Sequence, residues 1–213
     1  MDQFTANPVV DAYLACLANA QHETWPFDFW LLEDPLPEAD ADALAELAID
    51  PAANAVFDGR RETNNDVRVY VTPDMQERHA VCGRIADAFK HPRMIAAIEA
   101  RTGTVLDDCR LRIEYCQDTD GFWLEPHTDI LVKKFTMLIY LSDDPELRDA
   151  GTDVYDDSGQ WAGTTPYDKN LGLIFIPGPN TWHGFRRRPI RGIRKSIIVN
   201  YVGPEWRDTW ELA

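Results

Sequence analysis

Two histidines and one aspartate carry the chemical interest of this sequence. His127 and Asp129 stand one residue apart in LEPHTDI, and His183 follows much later in NTWHGF. In an extended strand residues i and i+2 point to one face, so the imidazole and the carboxylate would project side by side into one cavity. With His183 delivered from a distant strand, the set becomes two nitrogens and one oxygen. That set binds Fe(II) on one face of an octahedron and leaves the opposite positions open. A fourth protein ligand would close the metal to substrate, whereas three leave room for a co-substrate and for dioxygen. A His-x-Asp triplet also occurs where nothing is bound, so its neighbours have to carry the argument. His22, His79 and His91 have no partner at ligand spacing and read as surface or satisfied side chains.

Eleven residues beyond His183 comes Arg194, in RKSIIVNYV. Read as a strand, this segment puts Arg194, Ser196, Ile198 and Asn200 on one face and Lys195, Ile197, Val199 and Tyr201 on the other. A guanidinium beside a hydroxyl on a cavity wall makes a carboxylate clamp, because the planar fork donates two parallel hydrogen bonds and the hydroxyl a third. Arg191 is the competing cation nearby. Arg194 is preferred because the alternation and the serine two places on belong to it.

The elements that must position these groups fall into two halves. The first hundred residues read as helical: an apolar-periodic segment from Val9 to Ala20, a helix from Pro37 to Ile49 stopped by Asp50-Pro51, a helix from Thr72-Pro73 to near Lys90, and one from Pro92 to Gly103. An aromatic extended stretch, WPFDFWLLEDPLP, separates the first two. From Cys109 the period changes to 2, in CRLRIEYC, FTMLIYL, LGLIFIP and RKSIIVNYV. Helices first and strands afterwards predict an α+β unit whose antiparallel sheets close into a sandwich or jelly-roll barrel with the helices packed outside. The acid-rich segment 143–157 reads as a solvated connector, with a mobile lid as the alternative.

Composition bounds the partners. The 213 residues can bury one sizeable core, and 21 Lys and Arg against 36 Asp and Glu leave a formal charge of −15, which excludes a general nucleic-acid binder. No apolar run approaches the roughly 20 residues of a membrane span. Asp2 and Asp11 interrupt what would be a secretory leader, and Cys16, Cys82, Cys109 and Cys116 form no CxxC pair, so free thiols in the cytoplasm are expected. One island runs against the overall charge: RRRPIRGIRK at 186–195 carries six positive charges and no negative one. It could attract an anionic substrate, although Arg186, Arg187 and Arg188 read more simply as exposed turn residues. Trp123, Trp161 and Trp182 could wall a substrate pocket or belong to the core.

From about Arg110 to Val202 five pieces stand in a familiar order: RIEYCQDTDGFWLEPHTD, FTMLIYLSDD, the GTDVYD stretch, LIFIPGPNTWHGF and RKSIIVNYV. In this the chain resembles the 2-oxoglutarate and Fe(II)-dependent dioxygenases, and most of all their prolyl-4-hydroxylase-like branch. The resemblance implies a double-stranded β-helix (jelly-roll) core over 105–213 with mainly helical support over 1–104, together one domain. It implies that His127, Asp129 and His183 hold Fe(II) and that Arg194, helped by Ser196, binds the distal carboxylate of 2-oxoglutarate. Tyr140 would assist, and Tyr115 would line the co-substrate pocket unless it is an ordinary core tyrosine. With dioxygen as the second co-substrate, the implied reaction hydroxylates a C–H bond and releases succinate and carbon dioxide. The substrate would be an amino acid, a peptide or protein side chain, or a carrier-bound metabolite. Gly151-Thr152 replaces the glycine pair common in the family, which touches only local turn geometry. Asp129 stands where the halogenating relatives have a small residue, which points to oxygen insertion. The alternative is a cupin-like jelly-roll metal protein, a zinc-dependent hydrolase or a ligand-sensing domain, although cupins offer an HxH pair and more ligands.

Overall fold

The computed structural model of the protein describes residues 6–52, 55–60 and 68–213; Asp2 lies outside them. Helix α1 (Pro8–Asn19) begins where the Asn7 side chain accepts from the backbone N–H groups of Val9 and Val10, satisfying two donors that the first turn leaves open. Short strands β1 (Gln21–Glu23) and β2 (Phe29–Glu33) follow, then α2 (Glu38–Ala45). This helix stops short of the expected Ile49, and Leu47 turns into the core beside it. After β3 (Val69–Tyr70), Thr72 caps α3 (Pro73–Arg78) by accepting from the Met75 N–H. The single helix expected from Thr72 to Lys90 is broken at His79, whose extended backbone (φ −129°, ψ 101°) separates α3 from α4 (Ala80–Phe89). Helix α5 (Pro92–Thr102) ends at Gly103, which takes the left-handed conformation (φ 74°) that glycine adopts without a Cβ penalty.

The remaining strands are β4 (Arg110–Asp118), β5 (Leu124–His127), β6 (Lys133–Tyr140), β7 (Asp153–Tyr155), β8 (Trp161–Thr164), β9 (Leu171–Phe175), β10 (His183–Phe185) and β11 (Arg194–Val202). They form two antiparallel sheets, a seven-stranded one in the order β1-β2-β9-β6-β11-β4-β3 and a four-stranded one in the order β5-β10-β7-β8. The fold is an α+β jelly roll with its helices outside. Strands also come from the first hundred residues: β2 pairs with β9 from Phe29 opposite Phe175 to Glu33 opposite Leu171, and β3 extends the other edge beside β4. The aromatic extended stretch is therefore part of the major sheet. The acid-rich segment is not a mere connector either, since β7 lies inside the minor sheet between β10 and β8.

Side-chain alternation in the major sheet divides the interior in two. Leu111, Ile113 and Tyr115 of β4 and Ile197, Val199 and Tyr201 of β11 face the helices and pack with Tyr13, Ile85, Phe89 and Ile98. The opposite face looks toward the minor sheet, where Phe27, Leu138, Tyr140, Phe175 and Phe185 form a second cluster. At roughly 25 cal/mol per Å² of apolar area removed from water, each large side chain so buried stabilises the fold by about 1.5–3 kcal/mol. Arg112, Glu114, Asp118, Thr136, Arg194 and Asn200, all buried, belong to the faces of β4, β6 and β11 turned away from the helices. They line or border the lumen between the sheets. No helix among the described residues is long and apolar enough to cross a membrane.

Candidate active site

Strands β5 and β10 set the two histidines face to face. His183 is the direct cross-strand partner of His127, and their ring centroids lie 4.3 Å apart. Asp129 falls just beyond the end of β5, and the chain there still returns its carboxylate to the same point. Potential ligand atoms of His127, Asp129 and His183 all lie within 4.8 Å of one another. The three residues singled out from the sequence are thus brought together.

Each histidine is oriented from behind. His127 Nδ1 lies 3.0 Å from the Glu125 carbonyl oxygen, and His183 Nδ1 lies 2.9 Å from that of Thr181. A carbonyl can only accept, so Nδ1 carries the proton in both rings and Nε2 is the nitrogen with the lone pair, as a metal ligand requires. Asp129 is gripped by Lys133 Nζ at 2.9 Å on one oxygen and Thr136 Oγ1 at 2.8 Å on the other. Burial by itself would push this carboxyl up; the Lys133 ammonium and the hydrogen bonds from Lys133 and Thr136 outweigh it and hold the group well below the usual carboxylate range. Two imidazoles in the metal-binding tautomer and one ionised carboxylate fit a divalent ion, with no further His, Cys or acid grouped with them among the described residues.

The triad opens into a cavity of about 210 Å³ walled by Phe122, Leu138, Phe185 and Ile198. Arg194, the first residue of β11, lines it too. Its Nε donates to the Ala150 carbonyl at 2.6 Å and its Nη1 to Asp118 at 2.6 Å, while Arg191 pairs outside with Glu146. Ser196 shares the lumen face of β11 with Arg194, and its Oγ is buried without a hydrogen-bond partner. Tyr140 sits under this corner, its ring 5.6 Å from the Arg194 guanidinium and its hydroxyl bonded to Thr152 and Thr165 at 2.8 Å each. Gly151 is required next to that threonine, since a Cβ there would lie 1.8 Å from the Thr165 carbonyl oxygen. Tyr115 is not brought to the cavity. Its strand position pairs it with Ile197 on the helix side, where its hydroxyl is buried and unpartnered and burial pushes its phenol up to about 12.

Several lumen residues escaped the sequence reading. Arg68 and Asp118 stand beside Arg194, and Lys133 and Thr136 stand behind Asp129. Arg112 is held by Glu114 and Glu211 between the rings of Tyr70 and Trp206. The alternation in CRLRIEYC was the available signal, but a polar strand face usually looks into water, whereas here it looks into a polar lumen. The arginine island is partly answered by carboxylates: Arg188 and Arg186 converge on Asp153, and Arg194 meets Asp118. Arg186 and Arg187 lie over Trp161 and Trp123, outside the cavity, whose aromatic wall includes Trp206 instead of the three tryptophans considered.

No family model matches the sequence, and no curated protein matches it. Solved structures do. A prolyl-4-hydroxylase from Pseudomonas putida superposes with a TM-score of 0.59 at 16% identity, covering 93% of this chain and 95% of that one. The chain has the prolyl-4-hydroxylase fold. A prolyl hydroxylase from Trichoplax adhaerens, in complex with a peptide of the hypoxia inducible factor oxygen degradation domain, gives 0.58 at 13% identity over 95% and 96% of the two chains. HygX from Streptomyces hygroscopicus, with nickel, 2-oxoglutarate and hygromycin B bound, gives 0.56 at 16% identity over 84% and 85%.

Proposed function

We propose that the protein is a 2-oxoglutarate- and Fe(II)-dependent dioxygenase that hydroxylates a C–H bond of a small molecule or a peptide side chain. The observation that carries this reading is the presence, in one lumen, of a three-ligand metal triad and a buried arginine with an unpartnered hydroxyl beside it. Iron with 2-oxoglutarate and dioxygen would supply the oxidising chemistry, with succinate and carbon dioxide as by-products. His127 and His183 present Nε2, their rings held by the Glu125 and Thr181 carbonyls; Asp129 supplies the third ligand, held ionised by Lys133 and Thr136. Arg194 and Ser196 receive the distal carboxylate of the co-substrate, and Tyr140 with Thr152 backs that corner. Phe122, Leu138, Phe185 and Ile198 keep water from it.

The whole chain acts as one catalytic domain in this reading, and three ligands without a fourth among the described residues favour it over the cupin-like alternative. The peptide bound to the Trichoplax enzyme and the hygromycin B bound to HygX support a peptide or a small molecule as substrate. Four free thiols, three of them buried, support a reducing compartment such as the cytoplasm. Anaerobic reconstitution with Fe(II) tests the reading. Adding 2-oxoglutarate should produce a weak visible charge-transfer band that His127→Ala abolishes, and Arg194→Met should weaken 2-oxoglutarate binding while iron still binds. A protein that takes zinc but never couples 2-oxoglutarate to succinate, across a screen of amino acids, peptides and carrier-bound metabolites, would return the cupin-like alternative.

A further inference from the structure

We propose that Arg68, a residue outside every motif of the catalytic half, determines the specificity of the carboxylate anchor by giving it a net positive charge. The inference rests on the dioxygenase reading of the site. Asp118 lies directly across the sheet from Arg194, at the end of β4, and its two oxygens are divided between two guanidinium groups: Arg194 Nη1 at 2.6 Å and Arg68 Nη1 at 2.7 Å. All three side chains are buried, at 6%, 7% and 1% exposure for Arg194, Arg68 and Asp118. Arg68 reaches this point because it immediately precedes β3, whose Val69 pairs with Tyr115 three residues before Asp118. Both guanidiniums line the cavity, and both rest on one aromatic pair, Arg68 against Phe122 and Arg194 against Phe185.

The charges decide what such an arrangement can bind. Arg194 with Asp118 alone sums to zero, an ion pair already complete, with no electrostatic reason to admit another carboxylate into a low-dielectric pocket. Arg68 leaves the trio one positive charge in excess, which one incoming carboxylate neutralises. Nη2 of each arginine is not used in holding Asp118, and the unpartnered Ser196 Oγ lies on the same face of β11. Of the other buried lumen charges, Lys133 is matched by Asp129, while Arg112 between Glu114 and Glu211 leaves one negative charge in excess, with Glu114 four residues from Asp118 along β4. The positive excess sits at the Arg194 corner and the negative one at Arg112, so the two ends of the lumen differ in sign. In this arrangement Asp118 is a positioning residue that aims both forks, and Arg68 offsets its charge.

The test is a set of charge-changing variants, read as 2-oxoglutarate affinity of the anaerobic Fe(II) protein by calorimetry and by the visible band. Removing one unit charge at this range in a partly buried site should weaken binding at least about tenfold in Arg68→Met. Arg68→Lys, which keeps the charge and needs only one bond to Asp118, should stay near wild type. In the double variant Arg68→Met, Asp118→Asn the excess charge returns, and affinity should recover most of what the single variant lost. Iron affinity should not change in any of them. Wild-type affinity in Arg68→Met, or a double variant as weak as the single one, overturns the proposal. If Arg68→Met alone fails to fold, the double variant decides: binding more than about tenfold weaker than wild type counts against it. Wild-type iron protein that binds no 2-oxoglutarate brings down the dioxygenase reading, and the proposal with it. A binding wild type with an indifferent Arg68→Met brings down the proposal alone.

Discussion

Asp153→Asn should be the most damaging isosteric change in the minor sheet. The Asp153 side chain is fully buried on β7, directly beside the strand that carries His183. One oxygen accepts from the Arg186 backbone N–H and from Arg188 Nη1, each at 2.6 Å; the other accepts from Trp161 Nε1 at 3.1 Å and from the Thr164 hydroxyl. Four donors converge on one carboxylate. An amide keeps the shape but turns one oxygen into an NH₂ that must face a donor, and it strips the mostly buried Arg188 of its counter-charge. Breaking a buried pair from one side costs about 3–5 kcal/mol. Urea unfolding followed by tryptophan fluorescence reads this as a lower midpoint at unchanged slope. The pH dependence has a definite sign. Burial would raise the Asp153 carboxyl, but the Arg186 N–H, Thr164 and Arg188 outweigh it and hold the group below its usual value. The stabilisation is therefore fully present above the unfolded pKa of about 3.9 and is lost as pH falls through the lower folded value. The gap between wild type and variant should be flat from about pH 5 to 8 and should narrow below about 4. A loss under about 1 kcal/mol at pH 7, within the range of an ordinary single hydrogen bond, would refute the picture of Asp153 as the charge centre of this sheet.

Two further outcomes follow from the geometry. In Gly184→Ala the new Cβ would lie 2.7 Å from the Leu124 carbonyl oxygen, prying β10 from β5 where His183 faces His127, so metal affinity in a Co(II) or Fe(II) titration should fall at least about tenfold. Tyr115→Phe removes a buried hydroxyl that has no partner, so stability should hold or rise by up to about 1 kcal/mol and 2-oxoglutarate affinity should not move; a weakened co-substrate would return Tyr115 to the pocket.

The parts of the site legible in the sequence are those in which neighbours along the chain are neighbours in space. His127 and Asp129 are two apart, and Arg194 and Ser196 share a strand face, so a period of two is enough to pair them. Arg68 and Asp118 were illegible because the bond between them joins an edge strand to the next over 50 residues of sequence. Arg112 and Glu114 were misleading for a different reason, since alternation reports which face is polar and not whether that polar face meets water or a lumen. The acidic stretch hid Asp153 in the same way: its charge is answered from 33 and 35 residues downstream, by an island that composition alone reads as exposed. The helix break at His79 has no Pro or Gly to announce it.

The two histidines stand on the minor sheet, while Arg194 and Ser196 stand on the major one. Facing sheets keep a spacing of about 10 Å, set by the side chains that interdigitate between them. On the proposed reading the distance between metal and anchor is thus a gauge built into the packing of Leu138, Phe175 and Phe185, and the loops do not adjust it. A diacid one methylene longer or shorter would meet a gap of the wrong length. Changing the preferred co-substrate would mean repacking the barrel, whereas changing the hydroxylated substrate would ask only for new loops at its mouth.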